Sequence, residues 1–167
     1  MSIFSKVFCL LSFTISTISN QAQSPSWVNS IGSAQNDDTY SIDIDQMGYV
    51  YVCGWFSGTA DFDPGIGIFN LTSAGLTDVF VAKYTSSGQF IWAFRIGQNN
   101  RDGAMRVKIN NAGEVLVTGF VRENNIDFDP GPGIFNLNAP GLAGNDPGHS
   151  GDIFLAKYTT WKHIPMT

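Results

Sequence analysis

The chain has 167 residues, of which 43% are hydrophobic and only 14% charged, and its formal net charge is −5. This composition excludes intrinsic disorder, because disordered segments lack the apolar residues whose burial offsets the loss of chain entropy. The nine Lys and Arg residues form no cluster, so a nucleic-acid partner is not expected, since phosphate binding requires clustered positive charge. The sequence carries no catalytic signature, and no enzyme activity is expected.

Residues 1–22 have the pattern of a secretory signal peptide. One positive charge, Lys6, precedes a mostly apolar run over residues 7–15, and polar and small residues follow as far as Ala22. A membrane anchor would need about 20 apolar residues, and this run is shorter. We therefore expect a secreted or cell-surface protein whose mature chain begins near Gln23 and has no membrane span.

The mature chain is expected to fold without a disulfide bond. After removal of the signal peptide only one cysteine is left, Cys53, so no intrachain pair can form. Cys53 lies in the apolar run 50–54, where the sequence predicts a small buried hydrophobic residue and not a reactive thiol.

Two near-copies of one unit fill the mature chain. The residues 61–71, which begin Asp-Phe-Asp-Pro-Gly, recur as residues 127–137, and residues 78–84 recur as 152–158. The spacing of the copies grows by eight residues through an insertion around residues 144–151. Nine further positions recur at a constant spacing of 65 residues: Trp27, Ile31, Gly32, Asp37, Ile44, Gly48, Val50, Val52 and Gly54.

These repeats define the predicted organisation of the chain. Residues 1–22 are the signal peptide, and residues 23–158 hold two repeat units. The units cover about 27–91 and 92–158, and residues 159–167 form a tail outside the repeat.

The pattern within each unit is that of antiparallel β-strands. Apolar and aromatic residues alternate along short runs, and Gly-bearing turns such as Ser86-Ser87-Gly88 separate them. No run shows a sustained helical period with caps, so the predicted fold class is all-β. The predicted strands are about 40–45, 49–56, 79–84 and 89–95 in the first unit, and 104–109, 114–120 and 152–158 in the second.

A repeated four-stranded antiparallel sheet is the sequence form of a β-propeller blade. The order Asp-x-Phe-Val-Ala-Lys-Tyr over residues 78–84, then Ser-Gly-x-Phe-x-Trp-Ala over 87–93, then Ile-Gly at 96–97 and Val-x-Val-x-Gly over 115–119 resembles the bacterial secreted β-propeller repeat of the SBBP type. The block 61–71 is similar to a recurrent element of the same repeats. The resemblance covers roughly residues 27–158. It implies an exported, non-enzymatic scaffold that serves adhesion or interaction with a protein or glycan at the cell surface.

Two units are fewer than the 4–8 blades with which propellers typically close. The second unit also lacks its last strand, so the favoured prediction is a fragment of a longer propeller. In the alternative, residues 27–31, an extra copy of that last strand, fill the gap in a ring of several chains. A carbohydrate-binding lectin assembled as such a ring is the alternative function. An enzyme would need catalytic residues on further blades.

The candidate metal site consists of two carboxylate pairs, Asp61 with Asp63 and Asp127 with Asp129. Residues two apart in an extended segment point the same way, so each pair can offer two ligands to calcium, which takes 6–8 oxygen ligands. The favoured alternative is turn chemistry, in which Asp accepts hydrogen bonds from nearby backbone N–H groups and Pro and Gly set the dihedral angles. No other metal or cofactor is expected.

Three other groups of residues are assigned structural roles. Asp43 and Asp45 are predicted to belong to a hairpin turn, because the acidic residue that a calcium loop needs further on is absent. His149 and His163 have no counterpart in the other unit and are predicted to be solvated loop residues. Large aromatic residues at repeated positions are predicted to pack between sheets, with sugar stacking as the alternative: Trp27, Trp92, Trp55 and Phe120.

Self-association is a further expectation. In a propeller both faces of each sheet are covered by neighbouring blades, so the two end sheets of a two-blade chain keep bare faces. We expect those faces to carry Val50, Val52, Val115 and Val117, and the isolated chain to be marginally folded or to associate, since contiguous apolar surface promotes association.

The signal peptide makes a direct prediction about the N-terminus. Protein recovered from outside the producing cells should begin near Gln23, because signal peptides are removed on export. Mass spectrometry of that material measures its first residue. An intact Met1 on the recovered protein would contradict the prediction.

Overall fold

The computed structural model describes residues 23–137 and 151–159, and within these ranges the protein is all-β. Its strands form one four-stranded sheet, one three-stranded sheet and two short hairpins, all antiparallel. The strands are β1 (Asp37–Ile44), β2 (Val50–Phe56), β3 (Thr59–Asp61), β4 (Asn70–Thr72), β5 (Asp78–Tyr84), β6 (Phe90–Ile96), β7 (Gly103–Ile109), β8 (Val115–Val121), β9 (Ile126–Asp127), β10 (Asn136–Leu137) and β11 (Asp152–Tyr158). No helix long and apolar enough to cross a bilayer occurs in the described ranges.

The seven long strands confirm the predicted all-β fold, with ends that differ from the predicted ones by at most three residues. The hairpins β3–β4 and β9–β10 were not predicted. Their strands are two or three residues long. The Asp-Pro-Gly sequence between the two strands of each hairpin indicates only a turn. Periodicity needs a longer run before it can indicate a strand.

The two larger sheets are propeller-like blades with the same construction. The first blade has the strand order β1-β2-β5-β6, and the second has the order β7-β8-β11, which gives β7 and β8 the positions of β1 and β2. The likeness includes a bulge, which lies between Thr39 and Ser41 in β1 and between Ala104 and Arg106 in β7. In the second blade β11 is an edge strand, and no fourth strand of this sheet lies within the described residues.

The main core lies between the two blades. The face of the first blade that carries Val79 and Val81 packs against the face of the second blade that carries Val115 and Val117. Aromatic rings also meet there, with the Phe94 and Tyr158 ring centroids 5.2 Å apart. Cys53 is buried in this core, as predicted, and burial raises the pKa of its thiol to about 12. The fully or nearly fully buried members include Tyr51, Cys53, Val79, Val81, Phe94 and Ile96 of the first blade, and Val107, Val115, Val117, Val121 and Phe154 of the second.

A second core lies on the other face of the first blade. The β3–β4 hairpin folds back over this face and inserts Phe62, whose ring centroid lies 5.4 Å from that of Phe56 and 5.2 Å from that of Phe80. In the second blade Phe128 from the β9–β10 hairpin takes the same position against Phe154, at 5.0 Å. Each hairpin is therefore part of its blade and not a separate surface loop.

The expectation that four valines lie on bare outer faces is wrong. Val115 and Val117 are buried between the blades, and Val50 is buried under the β3–β4 hairpin, where Val52 packs half-buried beside it. The expectation failed because it assumed that only a neighbouring blade covers a face. The hairpin of the same blade covers part of it.

An aspartate stands at the start of the first strand of each blade: Asp37 is half-buried, and Asp102 is fully buried. The two carboxylate oxygens of Asp102 accept hydrogen bonds from the backbone N–H of Gln98, at 3.1 Å, and of Arg122, at 2.9 Å. Asp37 accepts the equivalent bonds from Ser33, at 2.6 Å, and from Ser57, at 3.2 Å. Each carboxylate thus joins the segment that enters a blade to the end of its second strand.

Burial raises the pKa of Asp102 to about 6, above its ordinary value of 3.8. The folded protein therefore holds a proton on Asp102, between these two pH values, that the unfolded chain has released. This contribution to stability is complete below the ordinary pKa and is lost as the pH rises through about 6. Its size is about 2 to 3 kcal/mol for a shift of this extent.

We predict that Asp102→Asn destabilises the protein more at about pH 4 than at about pH 7, because the variant has no titrating group at this position. Urea unfolding of both proteins across this range measures the difference. Asp38→Asn is the control, since Asp38 is exposed and its carboxylate accepts a bond from the adjacent Thr39. An unfolding free-energy difference that is independent of pH would contradict the prediction.

Candidate functional site: the Asp-Phe-Asp loops

The two candidate carboxylate pairs lie at the base of equivalent loops, which we call the Asp-Phe-Asp loops (residues 61–70 and 127–136). The first connects β3 to β4 and the second connects β9 to β10. Each is closed near its base by a backbone hydrogen bond, from Phe62 N–H to the Phe69 carbonyl at 3.0 Å and from Phe128 N–H to the Phe135 carbonyl at 2.9 Å. The hairpin strands hold both loops in the same position on their blades.

The carboxylates of the first loop accept hydrogen bonds from the loop backbone. One Asp61 oxygen accepts from Asp63 N–H at 3.0 Å and from Phe69 N–H at 2.8 Å, so it joins the two sides of the loop. One Asp63 oxygen accepts from Gly65 N–H at 2.8 Å and fixes the Asp-Pro-Gly turn. The remaining Asp63 oxygen lies over Gly67, where any side chain would collide with it.

The second loop repeats this arrangement bond for bond. Asp127 accepts from Phe135 N–H at 2.8 Å and from Asp129 N–H at 2.9 Å, and Asp129 accepts from Gly131 N–H at 2.7 Å. The bonds from Phe135 and Asp129 hold the pKa of Asp127 below its ordinary value, because they favour the charged form. Gly133 lies under the second Asp129 oxygen as Gly67 does under that of Asp63.

A strand tyrosine anchors each loop to its blade. The Tyr84 hydroxyl donates to the Phe62 carbonyl at 3.0 Å, and the Tyr158 hydroxyl donates to the Phe128 carbonyl at 3.2 Å. Burial is the main cause that raises the pKa of both phenols, and the nearby loop carboxylates raise it further. Both hydroxyls therefore stay protonated and able to donate.

These contacts are those that the turn interpretation predicts for the four aspartates. In residues 23–137 and 151–159, no group of three or more His, Cys, Asp or Glu side chains is gathered in a way that would hold a metal ion. Calcium binding by Asp61 and Asp63, or by Asp127 and Asp129, stays a prediction that a titration must test.

Both loops also expose apolar side chains. Ile66 is fully exposed and Ile68 is 76% exposed, while Ile134 and Phe135 of the second loop are 77% and 72% exposed. Turn chemistry alone predicts no role for these residues. Their signal was the run of apolar residues beside the second glycine of each copy, Ile66, Ile68 and Phe69 in one and Pro132, Ile134 and Phe135 in the other.

Asp45 belongs to a hairpin turn, as predicted, whereas the same prediction for Asp43 is wrong, because Asp43 lies within β1. One Asp45 oxygen accepts from Met47 N–H at 2.9 Å and from Tyr49 N–H at 3.0 Å, which is turn chemistry. Asp43 instead joins the blades, with Lys108 Nζ 2.9 Å from one of its oxygens and Ile109 N–H 2.7 Å from the other. His149 and His163 lie outside the described residues.

The repeated aromatic positions have different environments. Trp92 packs, partly buried, against the core that lies between the blades, with its ring centroid 6.0 Å from that of Tyr51 of the same blade. Trp27 is 41% exposed and donates from Nε1 to the Ser86 carbonyl at 3.1 Å. Trp55 lies with its indole Nε1 3.3 Å from the Tyr40 hydroxyl at a partly exposed position.

The chain is similar to an uncharacterized WD repeat-containing protein of Acanthamoeba polyphaga mimivirus, at 21% identity over 116 residues. The match covers 61% of this chain and 8% of that protein, so the chain spans a small part of the length of its relative. WD repeats form propeller blades, so the similarity suggests a propeller-like repeat. No family model matches the chain.

The loop carboxylates make a prediction about stability. Asp61→Ala should lower the free energy of unfolding by about 1 to 3 kcal/mol, because two backbone N–H groups lose their charged acceptor. Urea unfolding measures this, and Asp38→Ala is the control. Equal stability of both variants would show that the loop does not depend on these bonds.

Calorimetric titration with calcium decides between the two interpretations of the carboxylates. The turn interpretation predicts no calcium uptake by the wild-type protein. Uptake by the wild type that is lost from an Asp61→Asn, Asp63→Asn double variant would instead establish the first loop as a calcium site.

Proposed function

We propose that this protein is an exported, non-enzymatic β-propeller repeat protein of the SBBP type, whose Asp-Phe-Asp loops bind a protein at the cell surface. The similarity to a WD repeat-containing protein supports a repeat-based scaffold without enzyme activity. The signal-peptide pattern of residues 1–22 supports export. The SBBP resemblance supports the adhesive role.

The observation that carries the proposal is the contrast between the base and the tip of each loop. The base is held by carboxylate, tyrosine and backbone hydrogen bonds, while the tip exposes Ile66 and Ile68 in the first loop and Ile134 in the second, where the side chain of the neighbouring Phe135 is exposed too. Soluble proteins seldom hold clustered apolar side chains in water unless those side chains bind a partner. A fixed loop also loses little conformational entropy on binding, which favours affinity.

The repeat gives both loops the same position on their blades. Each loop follows the second strand of its blade and leads back towards the next long strand. A partner that contacts both tips gains from two linked sites, because the second contact forms within the same complex. This arrangement fits an adhesion surface better than a single pocket.

A loop variant tests the proposal. In a double variant Ile66→Ser, Ile68→Ser, binding of the labelled protein to the surface of its producing cells should weaken about tenfold or more, since loss of a buried anchor costs more than 1 kcal/mol. The second tip is tested by Ile134→Ser, Phe135→Ser. The control is Met47→Ser, because Met47 is 76% exposed in the turn between β1 and β2. Unchanged binding in both loop variants, or equal loss in the control, would contradict the proposal.

A lectin is the second candidate, and the contact between Trp55 and Tyr40 favours it. Two partly exposed aromatic rings whose polar atoms lie 3.3 Å apart offer both a stacking surface and hydrogen-bonding groups to a sugar. A glycan array on the wild type and on Trp55→Ala separates the two functions. Glycan binding that only Trp55→Ala abolishes would favour the lectin over the loop surface.

A further inference from the structure

Two positions of the third long strand are buried in the first blade and exposed in the second. Val79 and Val81 of β5 are fully buried at the junction between the blades. Their counterparts in β11 are Ile153 and Leu155, which are 86% and 76% exposed. The side chains are as apolar and larger, so this face is not built as a polar surface, and no following blade within the described residues covers it.

The first strand shows the reverse pattern. In the second blade Val107 is fully buried against the first blade, and Ile109 packs beside it. Their counterparts in β1 are Ile42 and Ile44, which are 61% and 59% exposed. Among the described residues, no blade packs in front of the first one to cover these side chains.

These positions define two open faces. The front face is the face of the first blade that carries Ile42 and Ile44, and the back face is the face of the second blade that carries Ile153 and Leu155. At the junction within the chain, the face of the first blade that corresponds to the back face packs against the face of the second blade that corresponds to the front face. The back face and the front face are therefore the two surfaces that the same geometry would bring together between two copies.

We propose that the back face of one copy of this chain binds the front face of a second copy, in the geometry of the junction between the two blades. Ile42 and Ile44 of the second copy would then cover Ile153 and Leu155, as Val107 and Ile109 cover the core of the first blade. This inference does not depend on the proposed function of the loops.

The N-terminal segment supports a second copy as the occupant. Residues 27–31 are the counterpart of residues 92–96 of β6, and they lie against the first blade as β6 lies against the second. Ile31 packs on the core of the first blade, and Ile96 packs on the equivalent core at the junction. In the proposed contact, residues 27–31 of the second copy arrive beside β11, at the edge where the second blade has no described fourth strand.

The polar groups of the back face are compatible with this contact. At the junction within the chain, the Ser41 hydroxyl lies 3.5 Å from the Val107 carbonyl, to which it can donate. The counterpart of Ser41 on the back face is Arg106, an exposed donor that would face the carbonyl of Ile42 in the second copy. Lys108 is the repeat counterpart of Asp43, and the two are paired at the junction within the chain. In the proposed contact Lys108 takes the place of Asp43 and therefore approaches Asp43 of the second copy.

The contact joins two different faces, so it is a head-to-tail interface. Such interfaces close into rings when the rotation allows and otherwise extend as filaments. With the two blades that the structure describes in each chain, and 4–8 blades in typical propellers, a closed ring would hold about two to four chains.

Two single variants and their mixture test the proposal. We expect the purified protein, with the N-terminus that its producing cells leave on it, to sediment as a multiple of the chain mass at micromolar concentration. Ile42→Glu blocks the front face and Leu155→Glu blocks the back face, so each variant alone should be monomeric. A mixture of the two should form a dimer and nothing larger, because one intact front face and one intact back face are left to bind.

Met47→Glu is the matched control, since Met47 is 76% exposed and its counterpart Ala112 stays exposed at the junction within the chain, and it should associate like the wild type. Urea unfolding confirms that each variant is folded; Ile44→Glu and Ile153→Glu replace any variant that is not. A monomeric wild type, a particle whose mass is not a multiple of the chain, or variants that associate like the wild type would overturn the proposal. So would a mixture that stays monomeric, because two copies would then not join by these faces.

Discussion

The blades of this protein are apolar on both faces, and the rest of the structure depends on how those faces are covered. In many antiparallel sheets one face packs on the core and the other is solvated. Here β5 buries Val79 and Val81 on one face and Phe80 and Ala82 on the other. A single blade therefore cannot be stable in water alone, and burial must come from a neighbouring blade or from the hairpin of the same blade.

The few charged residues of the chain mostly organise the backbone. Asp37, Asp61, Asp102 and Asp127 each accept two or more hydrogen bonds from main-chain N–H groups that β-strands leave unpaired. Buried or half-buried N–H groups need acceptors, and a carboxylate can satisfy two at once. An acidic chain with little charge thus uses its carboxylates inside the fold and leaves the loop tips apolar.

This division separates the hydrogen-bonded body of the molecule from the loop tips that we propose bind a partner. The strands, the aspartates at the start of each blade and the tyrosine anchors are repeated nearly unchanged in both blades. The loop tips keep their geometry while their side chains differ, with Ile66 in one and Pro132 in the other at equivalent exposed positions. Variation at a tip alters the binding surface without disturbing the hydrogen bonds beneath it, as is typical of loops positioned by a rigid scaffold.

The sequence by itself determined the strands, the repeat and the turn chemistry, because each of these depends on residues close together in the chain. Alternation placed Val79 and Val81 on one face of a strand, and Asp-Pro-Gly predicted the turns that Asp63 and Asp129 make. Which faces are covered was decided only by the tertiary structure. Val107 and Ile42 occupy the same repeat position, yet one is buried and the other lies in water. Periodicity assigns a residue to a face, whereas burial depends on what packs against that face, and the two copies of this repeat have different neighbours.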